Sequence, residues 1–132
     1  MKYQTNELTG AILDAAVAKA KGLPYRIERV GHAMDRNQIE VCWIEGLEAK
    51  FCPSSSWLVG GPIIERERIA IVCSRPRFDT NDGQRWDAYF DGRYTGPDGQ
   101  VDCKGDISEG ATPLIAAMRS FVTAKLGEET DL

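Results

Sequence analysis

The sequence contains few of the histidines and cysteines that structural zinc sites use. It has one histidine, His32, and four cysteines among 132 residues. The cysteines stand at positions 42, 52, 73 and 103, so no Cys-x-x-Cys pair occurs. A structural zinc site needs about four such ligands, usually in closely spaced pairs. We therefore predict no metal ion and no other cofactor. We expect the cysteines to be free thiols buried as small hydrophobic side chains.

Motifs that carry a nucleophile or hold a phosphate are also missing. Gly-x-Ser-x-Gly does not occur, and Gly60-Gly61 is not followed by the lysine of a phosphate-binding loop. The loop that starts at Asp79 has Gln84 where an EF-hand needs glycine, and no glutamate closes it. A single histidine needs a nucleophile and an orienting acid to act in catalysis, and the sequence identifies neither for His32. We predict no catalytic residue.

Long apolar runs and an excess of basic residues are absent too. No run of about 18 or more apolar residues occurs, and residues 1–10 lack the apolar centre of a signal peptide. We therefore predict a cytoplasmic protein with no membrane partner. The net charge is −4, and the six arginines between Arg66 and Arg93 are interrupted by five acidic residues. Since affinity for nucleic acid depends on neutralising phosphates, we do not expect nucleic acid as the main partner.

The residues that are present follow the pattern of an α+β fold. Thr9 and Thr112 each precede an apolar stripe at helical spacing, and Gly22 and Gly127 follow the two stripes. Strands are predicted at residues 25–32, 38–45, 69–75 and 85–92, with a hairpin over 38–52 and the third strand buried. We expect a single domain over residues 1–132. It should have an antiparallel sheet of about four strands packed with the two terminal helices, and a frayed acidic tail at 128–132.

The central segment, Ser54 to Ile69, is the most distinctive part of the chain. It reads SSSWLVGGPIIERERI. Pro62 suits the first position of a helix, so the glycines are predicted to form a turn that leads into a short helix. Helix starts also bind anions, and a ligand cradle is the alternative interpretation. Glu65 and Glu67 follow at once and disfavour an anion, so the structural turn is the preferred prediction. Trp57 is expected to cover the edge of the core.

Four segments together resemble the NinX-like phage proteins, a family of unknown function found in tailed phages and prophages. They are ELTGAILDAAVAKAKG near the start, SSSWLVGGPIIERERI in the centre, the WDA at Trp86, and TPLIAAMRSFVTAKLG near the end. The resemblance implies a phage or prophage origin, a cytoplasmic setting in the infected bacterium and a small α/β sandwich. It brings no catalytic residues. It points to a shared surface made of Trp57, Gly60, Gly61, Pro62, Glu65 and Arg66, with Thr112, Pro113 and Arg119.

Three functions fit these observations. The preferred one is a non-enzymatic accessory protein that binds a host or phage protein, since a distinctive motif stands beside no catalytic constellation. The first alternative is a small-ligand or nucleotide-binding enzyme that uses the glycine turn with Glu65 and Arg66. The second is a nucleic-acid-associated protein that uses the arginines near residues 66–77. A homodimer is also expected, because a short sheet exposes edge strands that can pair.

Overall fold

The computed structural model describes residues 1–31, 38–74, 85–94 and 100–132. These residues form helices, short strands and a 3-10 turn at Thr5–Glu7. The helices are α1 (Gly10–Ala20), α2 (Trp57–Glu67) and α3 (Pro113–Leu126). The strands are β1 (Lys2–Gln4), β2 (Tyr25–Val30), β3 (Ile39–Ile44), β4 (Ala49–Lys50), β5 (Ala70–Ser74), β6 (Arg85–Tyr89), β7 (Arg93–Tyr94), β8 (Val101–Asp102), β9 (Ser108–Gly110) and β10 (Glu129–Asp131).

All the strand pairs are antiparallel, and this confirms the predicted α+β class. One sheet has the order β2-β3-β4 and another β5-β6-β9, while β1 pairs with β10 and β7 with β8. The hairpin predicted over residues 38–52 is confirmed, with Trp43 opposite Lys50. The sequence predicts one sheet of about four strands, whereas the described strands form several smaller sheets. Most of them are only two or three residues long, so each pairs with one or two neighbours.

The terminal helices pack against strands, as the sequence predicts, and they also share the centre of the core. Buried residues run without a break from Leu13 to Ala18 in α1, so this helix is enclosed on all sides rather than amphipathic. α1 packs against α3 and also against β2 and β3. Alanines on both helices allow a close approach, and Val17, Met118 and Phe121 fill the space around them. The Ala-rich sequence of α1 thus reflects burial among several elements.

The C-terminal tail, which the sequence predicts to be frayed, contains a strand in this structure. β10 pairs with β1, so Tyr3 lies opposite Thr130. Thr130 is 1% exposed, and its hydroxyl lies 2.9 Å from that of Thr5, which also donates to the carbonyl of Gly127 at 2.8 Å. The amide of Thr5 donates to the carbonyl of Glu128 at 2.8 Å. Two buried threonines therefore hold the chain ends together, a long-range contact that the acidic composition of the tail does not reveal.

The cysteines and β5 are less buried than the sequence predicts. None of the four cysteines forms a disulfide, but only Cys42 is buried, and burial raises its pKa to about 11. Cys73 is exposed on β5, where Val72 is 42% exposed as well. β5 pairs only with β6 in the described part of the chain, so it stands at a sheet edge. An edge strand explains why an apolar sequence here is only partly covered.

α2 begins earlier than the sequence predicts. It starts at Trp57, with Ser56 as the preceding cap residue, so Pro62 lies inside the helix and not at its first position. The carbonyl of Ser56 already accepts from the amide of Gly60 at 2.8 Å. Pro62 has no amide to donate within the helix, and a proline also crowds the Cβ of the residue before it. Gly61 has no Cβ, so the helix can pass through the proline. The glycines are helical residues and not a turn.

A buried carboxylate holds the segment that precedes α2. Asp14 of α1 is 5% exposed, and its Oδ1 accepts a hydrogen bond from the amide of Ser54 at 2.8 Å. The Ser54 side chain contributes a second hydrogen bond. Ser54 is itself 6% exposed, so both groups lie away from water. Because a buried acceptor or donor without a partner is destabilising, this contact fixes residues 52–56 against α1.

The two threonine caps provide a matched test of helix capping. The Thr112 side chain accepts a hydrogen bond from the amide of Ile115 at 3.1 Å, whereas Thr9 has cap geometry but makes no side-chain cap bond. We expect Thr112→Ala to lower the free energy of unfolding by about 1 kcal/mol. Thr9→Ala should lower it less, as measured by urea denaturation. Equal losses at the two positions would contradict the assigned cap.

Asp14 gives the free energy of unfolding a pH dependence of defined sign. Desolvation raises the pKa of Asp14 above its ordinary value. The folded chain therefore keeps this proton at a pH at which the unfolded chain has released it. The resulting stabilisation is present below the unfolded pKa and is lost as the pH rises through the folded pKa. We expect wild type to gain stability relative to Asp14→Asn as the pH falls through the acidic range, measured by urea unfolding.

Asp131 is the control for this titration. The N-terminal ammonium, 3.0 Å from its carboxylate, lowers the pKa of Asp131. Its stabilisation is therefore present above the unfolded pKa and is lost as the pH falls through the folded pKa. Wild type should lose stability relative to Asp131→Asn over the same acidic range. If the two variants showed slopes of the same sign, the assigned environment of Asp14 would be wrong.

Candidate functional site

α2 has one solvent-facing side, and that side carries large apolar residues. Trp57 is 56% exposed and Leu58 is 86% exposed. Pro62, Glu65 and Arg66 are exposed as well. Helical spacing places these residues on the same side, because positions three and four apart are neighbours on a helix. The outward face of α2 is defined here as Trp57, Leu58, Gly61, Pro62, Glu65 and Arg66.

The opposite side of α2 packs closely on the body of the protein. Ile63 is 3% exposed, and Gly60 is buried. A Cβ at Gly60 would lie 2.4 Å from the Pro53 carbonyl oxygen and 2.8 Å from the Leu114 Cδ2. A Cβ at Gly61 would meet no atom within 4 Å apart from its chain neighbours and the backbone of its own helix. Gly60 therefore permits a close approach between α2, the segment before it and α3, whereas Gly61 lies toward the outward face.

Charged groups hold the C-terminal end of α2 against α3. The carboxylate of Glu67 lies 3.8 Å from the Nζ of Lys125 and 3.6 Å from the Nη2 of Arg66. Lys125 also lies over the rings of Phe90 and Phe121, at 5.6 and 6.0 Å from their centroids. These half-exposed contacts are each weak. Together with the close packing of Gly60, they hold the inner side of α2 against the body of the protein and leave its outward face to solvent.

A separate cleft of about 750 Å³ lies between β9, the 3-10 turn and α3. Most of the described residues that line it have polar or charged side chains, although about half of the wall surface is apolar. They come from the two ends of the chain, from β9 and its flanks, and from α3. No residue of α2 is among the described residues that line it. The lining residues include Gln4, Thr5, Asn6, Arg85, Asp106, Ser108, Glu109, Arg119, Thr123 and Glu128.

Arg119 bridges two walls of this cleft. Its Nε donates to the carbonyl of Leu8 at 2.9 Å, and its Nη1 donates to the carbonyl of Glu109 at 2.8 Å. Desolvation by its surroundings lowers the pKa of Arg119. It forms no ion pair with a carboxylate of the described residues. Since arginine stays protonated in proteins, the cleft contains a partly buried positive charge that neutral carbonyls solvate but do not neutralise.

The predicted surface residues do not form one site. Trp57, Gly61, Pro62, Glu65 and Arg66 share the outward face of α2, while Gly60 lies on the buried side. Thr112 caps α3 and Pro113 is the first residue of that helix. Arg119 is the one predicted residue that lines the cleft. The prediction that Trp57 covers the core edge is wrong, because the earlier start of α2 turns its side chain outward.

The sequence reasoning missed residues on both surfaces. Leu58 carries no motif, but helical spacing would place it beside Trp57 once the helix is known to begin there. Ser108 and Glu128 carry no local signal, because the pairing of distant strands brings them to the cleft. His32, Asp79 and Gln84 lie outside the described residues. The described part of the chain holds no group of three or more His, Cys, Asp or Glu side chains placed to bind a metal.

No helix in residues 1–31, 38–74, 85–94 or 100–132 has both the length and the apolar character needed to cross a membrane.

A comparison with family models gives one finding that covers nearly the whole chain. The model described as Bacteriophage P22, NinX, matches residues 4–125. This range includes α1, α2, all of α3 but its last residue, and the strands β2 to β9. No curated protein matched the chain.

The glycine pair of α2 tests how closely this helix packs. We expect Gly60→Ala to lower the free energy of unfolding by about 1–3 kcal/mol, because its Cβ would displace the Pro53 carbonyl and the Leu114 side chain. Gly61→Ala adds a Cβ that meets only its chain neighbour Pro62, so it should lower the free energy of unfolding by less than Gly60→Ala does. Urea denaturation of both variants measures the difference. A Gly60→Ala protein as stable as the Gly61→Ala protein would refute the close contact.

Proposed function

Because the chain belongs to the NinX family of bacteriophage P22, we propose that it is a phage-encoded accessory protein that binds another protein in the host cytoplasm. The contact surface is the outward face of α2. The observation that carries this proposal is the adjacent exposed pair Trp57 and Leu58 on a helix whose opposite side is buried. No described group of side chains offers a competing catalytic arrangement at this face.

The composition of the outward face supports protein binding. Helices on the surface of a soluble protein normally turn polar residues toward solvent. Here the N-terminal part of the outward face is apolar, with Trp57, Leu58 and Pro62. The charged Glu65 and Arg66 lie beside this apolar part, toward the end of the helix. Protein interfaces commonly have an apolar centre and a polar rim, and tryptophan is enriched among the residues that dominate binding energy. Covering Trp57 and Leu58 would remove their apolar surface from water, which favours association.

The contacts that hold α2 on the body of the protein also favour binding. The Asp14–Ser54 hydrogen bond at 2.8 Å holds the segment before the helix, and the Glu67–Lys125 pair at 3.8 Å holds its end. A surface that is already ordered loses little conformational entropy when a partner docks. A helix face of this kind suits a partner that offers an apolar groove. We therefore propose a groove-bearing host or phage protein as the partner.

Photo-crosslinking at Leu58 tests this function. A photoreactive amino acid replaces Leu58 in one variant and Leu47 in a control, since Leu47 is 76% exposed but lies in the turn before β4. In phage-infected cells, position 58 should crosslink to one defined protein and position 47 should not. Excess wild-type protein should compete for that crosslink. Identical crosslinked products at both positions, or none at position 58, would argue against the outward face.

The identified partner then allows a direct measurement of affinity. Trp57→Ala should weaken binding by roughly thirtyfold or more, the loss expected for a central tryptophan of an interface. Trp57 is solvent-exposed, so the variant should keep the thermal stability of wild type. Leu47→Ala is the matched control and should bind as wild type does. If Trp57→Ala bound with unchanged affinity, the surface would not be the interface.

A further inference from the structure

The cleft between β9, the 3-10 turn and α3 is distinct from the outward face of α2, and its size suits a small molecule. Its volume of about 750 Å³ falls in the range of roughly 300–1,000 Å³ that is usual for small-molecule sites. The walls differ from those of most such sites because charged and polar side chains predominate. A ligand here would be recognised by its charges and hydrogen bonds, so the charges of the walls define its chemistry.

One wall presents a positive charge in a fixed position. The guanidinium of Arg119 is held by the carbonyls of Leu8 at 2.9 Å and Glu109 at 2.8 Å. These two bonds use two of its five N–H donors, and no other hydrogen bond of Arg119 joins it to the described residues. A preorganised arginine with donors to spare is suited to a carboxylate. Ser108 adds a second polar group, since it is 8% exposed and its hydroxyl has no side-chain hydrogen bond within the described residues.

Other walls present negative charge. Asp106, Glu109 and Glu128 line the cleft, and of these Glu109 lies 3.4 Å from the guanidinium of Arg85. Asp106 and Glu128 make no ion pair with a described cation. The five charged side chains of the lining sum to −1, from two arginines and three acids. A polyanion such as a nucleotide would therefore be repelled, and a simple cation would meet Arg119.

A molecule that carries one positive and one negative charge can form ion pairs with both the basic wall and the acidic walls. We propose that this cleft binds a small zwitterion, an amino acid or a short peptide, with its carboxylate on Arg119 and its ammonium group toward Asp106 and Glu128. The carboxylate neutralises the partly buried guanidinium, and Ser108 donates a further hydrogen bond to it. The ammonium group accounts for the two carboxylates that no described cation pairs.

The experiment is a titration of the full chain with four kinds of probe, in which NMR chemical shifts report binding. The probes are the set of standard amino acids, the dipeptide Ala-Ala, acetate and ATP. We expect at least one amino acid or the dipeptide to cause saturable shifts of the Arg119 Nε–H and the Ser108 amide. Acetate should bind at least about tenfold more weakly, and ATP should cause no saturable shift. The proposal would be wrong if no zwitterion caused saturable shifts. It would also be wrong if acetate or ATP bound as tightly as the zwitterion.

Variants separate the two charged walls. Arg119→Lys should abolish the tight binding of the zwitterion, whereas Arg93→Gln outside the cleft should leave it unchanged. Arg119 also bonds to two carbonyls, so the lysine variant can fail to fold. The double variant Asp106→Asn, Glu128→Gln changes exposed carboxylates and keeps the proposal testable in that case. This variant should bind the zwitterion at least about tenfold more weakly than wild type and should bind acetate more tightly. Unchanged affinity for both probes would overturn the assignment.

Discussion

The hydrogen bond between the Asp14 carboxylate and the Ser54 amide is the contact on which the arrangement of α2 depends. Asp14 interrupts an otherwise apolar buried run of α1, and desolvation of its charge is unfavourable. Its partners offset that penalty, because the amide lies 2.8 Å away and the Ser54 side chain donates too. The contact places Pro53 beside Gly60, where only a glycine fits. The contact between Pro53 and Gly60 thus sets where α2 starts, how far it lies from α3 and which of its sides faces solvent.

The pairing of the chain ends has a similar role for the cleft. Thr5 and Thr130 are buried against each other, and β1 pairs with β10 over three residues. This pairing brings Glu128 and the 3-10 turn to the same side of α3 as Arg119. Without it the cleft would lose one of its walls. The outward face of α2 and the cleft thus depend on different long-range contacts, and a change in one can be studied without the other.

Local signals in the sequence predict a large part of this fold. Thr112 and Pro113 mark the start of α3, Gly22 follows α1 with a φ of +73°, and the alternation in residues 38–45 identifies β3. Predictions from these features are correct because capping and periodicity depend on residues that are neighbours in the sequence. The start of α2 is missed for the same reason. Pro62 carries a strong local preference for the first helical position, and only the contacts of Ser54 and Gly60 place it further inside.

The candidate sites are harder to predict because distant segments build them. Trp57, Pro62, Glu65 and Arg66 are recognised from the central motif, and they do share a face. Their exposure could not be predicted, since it depends on which side of α2 packs on Pro53 and Leu114. The cleft is less accessible still to sequence reasoning, because Gln4, Ser108, Arg119 and Glu128 come together only through strand pairing and helix packing.

The proposed interface depends on α2 presenting the side chain of Trp57 to solvent. Trp57 becomes the only tryptophan in the variant Trp43→Phe, Trp86→Phe, so the fluorescence of this protein reports on that side chain alone. The most direct test is acrylamide quenching of the folded protein. We predict a red-shifted emission and efficient quenching, in keeping with a side chain that is 56% exposed. A blue-shifted emission that acrylamide does not quench would mean that Trp57 is buried, and it would contradict the account.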